Sequence, residues 1–167
     1  MLCLLLVAVS APALAHAERS YSMFGLGGGA GVDAQPGIVL QGEVYGQDME
    51  GGDSDGNGLL IGMHAGTRYW RVADTRWGLD VPIGLSFGAY SGPVRTSLGA
   101  GTGIAALELR GRDMGFGITP YANGRVGIEL GRDWMTSLDL RATRAVLVGV
   151  ADRTEFDIVL LVGKRQR

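Results

Sequence analysis

Three groups of residues in this chain have types and spacings that could do chemistry. The first is the stretch "GGDSDGNG" at 51–58, where Asp53, Asp55, Asn57 and Gly58 fit the first half of a calcium-loop pattern, D-x-[DN]-x-[DN]-G. The second is Ser86, His64 and Asp80, a nucleophile, a base and an orienting acid. The third is "GLGGGAG" at 25–31, a run of the kind that cradles phosphates. None carries a full signature. With Asp53 at position 1, position 12 falls on residue 64, where a bidentate Glu is needed and His64 stands. A looser Ca²⁺ set of Asp48, Glu50, Asp53 and Asp55 stays open beside the simpler reading of an acidic turn, since Gly, Asp, Asn and Ser are turn formers. Ser86 has no elbow motif and no oxyanion loop. The 25–31 run lacks a Lys-Ser/Thr pair and a following helix, and reads as a Gly-rich strand. No catalytic, cofactor-binding or metal-ligating residue is assigned, no cofactor is expected, and the chain is not expected to be an enzyme.

The elements that would position these residues follow a period of two. Leu59, Ile61, Met63 and Ala65 share one parity, and Leu60, Gly62, His64, Gly66 and Arg68 the other. Trp77, Leu79, Val81, Ile83, Leu85 and Phe87 oppose Gly78, Asp80, Pro82, Gly84, Ser86 and Gly88. Ala122, Gly124, Val126, Ile128 and Leu130 oppose Tyr121, Asn123, Arg125, Gly127 and Glu129. Trp134, Leu138, Leu140 and Ala142 oppose Met135, Ser137, Asp139, Arg141 and Thr143. Turn signals punctuate these runs: "DAQPG", "VADTR", "YSGP", "RGRDMG", "GRD" and "VADRT". About eight strands are expected, over 20–32, 36–46, 58–72, 75–90, 93–109, 115–130, 133–149 and 154–164. The 29 glycines among 167 residues argue against a helical bundle, because Gly is a poor helix former. A net charge of −2 argues against a nucleic-acid partner.

Period two does not say which face is the core. A soluble barrel hides its apolar face, whereas a membrane barrel turns it to lipid and fills its lumen with polar groups. Here the polar parity mixes Gly and Ser with isolated charges: Glu43, Arg68, Asp80, Arg125, Glu129, Asp139 and Arg141. A narrow lumen needs small residues such as Gly88, Gly99, Gly101, Gly103 and Gly127, and charges that pair across it. The strands match the nine to eleven residues of a tilted spanning strand. Tyr21, Tyr45, Tyr69, Trp70, Trp77, Tyr90, Phe116, Tyr121, Trp134 and Phe156 lie mostly near strand ends, where interfacial girdles form. The expectation is an all-β, closed antiparallel up-and-down barrel, membrane-embedded, with Glu43, Asp80, Glu129 and Asp139 inside and paired with Arg68, Arg125 and Arg141. The alternative is a secreted or periplasmic lipocalin-like barrel that binds a small apolar ligand.

Residues 1–17 read as a signal peptide: an apolar run ending in Ala13-Leu14-Ala15 and Ala15-His16-Ala17, although no Lys or Arg precedes the run. Cys3, the only cysteine, would leave with it. Residues 18–167 are then the barrel domain. With a signal, Gly-rich alternating hairpins and this length, the chain resembles the small eight-stranded outer-membrane barrels of Gram-negative bacteria, of the OmpA/OmpX type. The resemblance is architectural and covers the whole mature chain. It implies a cell outer-membrane location, outer-membrane lipid and the barrel-assembly machinery as partners, a monomer, and a structural or surface-interaction role with a side-chain-filled lumen. Members usually end their last strand in an aromatic residue, but this chain ends "FDIVLLVGKRQR", with Phe156 at the strand's start. The family's terminal-side turns are short, yet the acidic stretch at Asp48–Asn57 would be one of them and the longest connection in the chain.

Overall fold

The computed structural model describes residues 19–31, 36–72, 75–111 and 114–166. The signal-peptide assignment at 1–17 lies outside the described residues. The strands are β1 (Arg19–Gly31), β2 (Gly37–Glu50), β3 (Asn57–Arg71), β4 (Thr75–Ser91), β5 (Val94–Leu109), β6 (Met114–Ile118), β7 (Tyr121–Leu130), β8 (Trp134–Val148) and β9 (Arg153–Arg165). Every pairing is antiparallel, and β1 pairs with both β2 and β9, so the sheet closes on itself. A closed sheet has no unpaired edge.

β6 and β7 form one stave of eight. Pro120 sits between them and has no N–H to give the ladder, so the strand expected over 115–130 is interrupted there. Register is kept across the break: Thr119 and Gly103 exchange backbone hydrogen bonds of 3.0 and 3.2 Å, and Pro120 O accepts from Arg144 N at 2.9 Å. β2 also runs four residues past its expected end at 46, to Glu50. Gln47 continues the inward parity and Asp48 and Glu50 the outward one, and these residues pair with Gly62, Ile61 and Leu59 to close the hairpin.

Paired residues can be followed once around the ring: Arg19, Gln47, Gly62, Ser86, Gly99, Asn123, Arg141, Asp157, then Gly29. The path leaves β1 at residue 19 and returns at 29, a stagger of 10 residues (29 − 19). With eight staves, 3.3 Å per residue and 4.7 Å between strands, that stagger tilts the strands by about 40°. The parity expected to face inward does so on each strand assigned from the sequence: His64, Arg68, Asp80, Ser86, Asn123, Arg125, Asp139 and Arg141 are all buried.

Candidate functional site

The lumen is filled in layers. At the end carrying residues 19 and 165, Glu129 accepts from Arg19 at 2.6 Å and from the Tyr21 hydroxyl at 2.8 Å, and pairs with Arg95 at 2.9 Å. In the middle, Arg125 meets Glu43 at 2.6 Å and Asp139 at 3.5 Å. Arg141 also approaches Asp139 at 3.5 Å, and the Asn123 amide donates to it at 2.7 Å. Above this layer, Arg68 faces three carboxylates: Asp80 and Glu155 at 3.3 Å each and Asp157 at 2.5 Å. Arg153 takes the other oxygen of Glu155 at 3.3 Å. Among the described residues the lumen thus holds six arginines (19, 68, 95, 125, 141, 153) and six carboxylates (43, 80, 129, 139, 155, 157). Burial of a charge is tolerable only with a partner, and this balance provides one for each sign. At the far end the polar filling gives way to an apolar cap of Val39, Val72, Leu107, Leu109 and Leu147.

Four aromatics expected at the rim are inside instead. Tyr21, Tyr45, Trp70 and Tyr121 are buried because they carry the inward parity, whatever their distance from a strand end. Their rings serve the arginines: Trp70 lies 4.4 Å from Arg68, Tyr45 4.8 Å from Arg125 and Tyr121 4.3 Å from Arg141. The lumenal glycines make room for them. A Cβ on Gly84 or Gly101 would collide with Tyr121, and one on Gly78 with Trp70. Tyr69, Phe116, Trp134 and Phe156 do lie outside, and Lys164 Nζ stands 5.9 Å from the Trp134 ring.

The outer surface is the reverse of the lumen. Leu98 and Ile104 are 75% and 76% exposed, and Phe24, Ile83, Phe87, Val126, Leu140 and Leu160 are exposed as well. Along β9 the outward residues Phe156, Ile158, Leu160 and Val162 run between Thr154 and Lys164. Ten residues at a 40° tilt rise about 25 Å, the height of a membrane barrel's apolar band. No helix of the described residues is long and apolar enough to cross a membrane, which says nothing of crossing by strands.

Three of the four expected inward carboxylates pair with the expected arginines: Glu43, Asp80 and Asp139. Glu129 pairs instead with Arg95 on the adjacent strand β5 and with Arg19 on β1, which the closed ring brings to it across the lumen. The serine, histidine and acid do not assemble. His64 Nε2 is engaged by the Tyr121 hydroxyl at 2.6 Å and Asp80 by Arg68, and no described hydrogen bond joins His64 to Ser86. The acidic turn closes on itself: Asp53 accepts from the backbone N–H of Asn57 at 2.8 Å and of Asp55 at 3.0 Å, and from the Asn57 amide at 3.1 Å. These donors, Asn57 first, hold the Asp53 carboxyl below the usual range. Asp48, Glu50, Asp53 and Asp55 do not converge on a common point, and the described residues contain no group of three acidic, His or Cys side chains set to hold a metal. The run 25–31 is strand, as read. The connection lies at the end of the termini, as the topology requires, and spans only six residues, 51–56.

Fold and site together define a class: a closed eight-stave antiparallel barrel, apolar outside and ionic within. A solved structure of the same architecture is the crystal structure of Neisserial surface protein A, with a TM-score of 0.58 at 12% identity, covering 88% of this chain and 94% of that one. At that identity the likeness concerns the fold. No family model matches the chain, and no curated protein matches it.

Proposed function

We propose that this chain is an outer-membrane β-barrel of the small OmpA/OmpX type, with a structural or surface-interaction role and no open pore. The observation that carries the reading is the inversion of the two faces. Contiguous exposed apolar surface of this extent marks lipid or a partner, and here it encircles a lumen that holds the buried ions. A lipocalin-like barrel needs an apolar cavity, whereas this interior is occupied by paired arginines and carboxylates. The solved neighbour's name, a surface protein, agrees with this location. The mechanism is passive: the belt anchors the protein, and the charge network keeps the lumen shut. The fully described connections, 51–56, 92–93, 131–133 and 149–152, are short, so contact with partners falls to the strand ends and rims. The chain is not an enzyme in this reading and acts as a monomer inserted by the barrel-assembly machinery. Cell fractionation followed by extraction tests it: the mature chain should sediment with outer membranes and leave them only with detergent. Recovery as a soluble monomer in buffer would refute it.

A further inference from the structure

We propose that a groove on the outer face of the barrel, floored by Gly124, seats one acyl chain of a glycerophospholipid from the leaflet on the side of the termini; this rests on the membrane reading above. The groove has a volume of about 460 Å³. In register, Leu98 pairs with Gly124 and Gly124 with Leu140, so the two leucines stand two strand spacings apart, about 10 Å, with no side chain between them. Nothing in the fold requires glycine at this position. A Cβ there would meet only Leu98 Cδ2, at an ordinary 3.5 Å, and the backbone is not left-handed. The lumenal glycines differ, since a Cβ at Gly84 or Gly101 would strike Tyr121. The missing side chain at residue 124 leaves an outward channel and relieves no internal clash.

Its placement selects the occupant. At the lower end Ala89 and Thr96 face each other across β4 and β5, two residues from the turn that joins them. At the upper end Leu140 lies six residues along β8 from Trp134. That is about 20 Å along the strand and about 15 Å along the axis, half of the ~30 Å hydrocarbon core. The groove therefore runs from one interface to the midplane, the reach of one leaflet's chain. Arg125 contributes to the floor, but its guanidinium points inward to Glu43, so no charge faces the channel. Arg132 is exposed on the turn of the same β7–β8 hairpin, beyond the lower end, on the side where a phosphate would lie. A second copy is the poorer occupant. A two-fold contact sets the same patch against itself, and a groove facing a groove leaves a void.

The test compares the wild type, Gly124→Leu and Gly42→Leu. Gly42 is also outward, its added Cβ would meet the Phe24 ring at 3.5 Å and Thr67 Oγ1 at 3.7 Å, both ordinary contacts, and it lies on β2, away from the groove. Each protein is reconstituted in nanodiscs of phosphatidylethanolamine and phosphatidylglycerol, moved to mild detergent, and weighed by native mass spectrometry. Retention of one phospholipid is expected for the wild type and Gly42→Leu, and about tenfold less for Gly124→Leu. Gly124→Ala, the gentler change, should fall between. Equal retention by all variants, in proteins that still need detergent, would overturn the proposal and leave the membrane reading standing. A dimer that Gly124→Leu dissociates would also overturn it, by giving the groove to a second copy. A wild type that stays dispersed without detergent would instead sink the membrane reading.

Discussion

Arg68→Met is the substitution that interrogates the lumen most sharply. Arg68 is fully buried and faces Asp80, Glu155 and Asp157, all at least 95% buried. Met keeps the volume and the apolar stem and removes the charge. Three carboxylates then share a narrow interior with Arg153, which pairs with Glu155 at 3.3 Å. Removing one member of a buried pair costs roughly 3–5 kcal/mol, mostly because the other charge is left uncompensated. The loss of the cation on the Trp70 ring adds to that. The assay is reversible urea unfolding in lipid vesicles at fixed lipid-to-protein ratio. Asp157→Asn added to Arg68→Met should restore part of the loss, because the nearest uncompensated charge is then gone. A coupling of roughly 0.5–3 kcal/mol between the two sites is expected for residues in direct contact. A loss under about 1 kcal/mol for Arg68→Met, or strict additivity in the double variant, would refute the claim that this arginine neutralises the upper lumen.

Further outcomes follow from the same geometry. Ile83→Arg and Val126→Arg, outward near mid-strand, should each cost roughly 2–4 kcal/mol by the same unfolding assay, and Ser86→Thr should be milder. Gly101→Leu should block folding, seen as loss of the heat-modifiable gel band, because its Cβ collides with Tyr121, whereas Gly124→Ala should fold normally. Asp53 titrates below the usual carboxylate range, so its turn is stabilised above the unfolded value and that stabilisation is lost as pH falls through the lowered one. The Asn57 backbone amide shift should therefore titrate below pH ~3.9 in NMR, and a midpoint at or above that value would contradict the turn's hydrogen bonding.

Much of this fold was legible because period two is a strong signal when sustained. The staves around Leu59–Arg71, Trp77–Phe87 and Tyr121–Glu129 have the predicted faces, since a slip of one residue would invert every side chain. Closure and stagger were not legible, because pairing register depends on both neighbours of a strand. That is why Glu129 finds Arg19 and Arg95 rather than the arginines nearest in pattern. Glu155 and Asp157 were missed for another reason. On β9 the inward parity continues as Val159 and Leu161, so the apolar run hides the alternation. The inward aromatics had a readable signal, namely parity, which nearness to strand ends obscured.

The central claim is that Ile83 and Val126 face lipid while Asp139 and Arg125 face the lumen. Single cysteines at 83 and 126, with Cys3 replaced by Ser, test it most directly in reconstituted membranes. Both should react with a lipid-soluble maleimide, and a fluorophore placed there should be quenched by lipids brominated near the chain ends. An aqueous thiol reagent should leave both untouched. Ready labelling by the aqueous reagent, or protection from the lipid-soluble one in a protein that stays monomeric without detergent, would contradict the account and place these side chains in the interior of a soluble barrel.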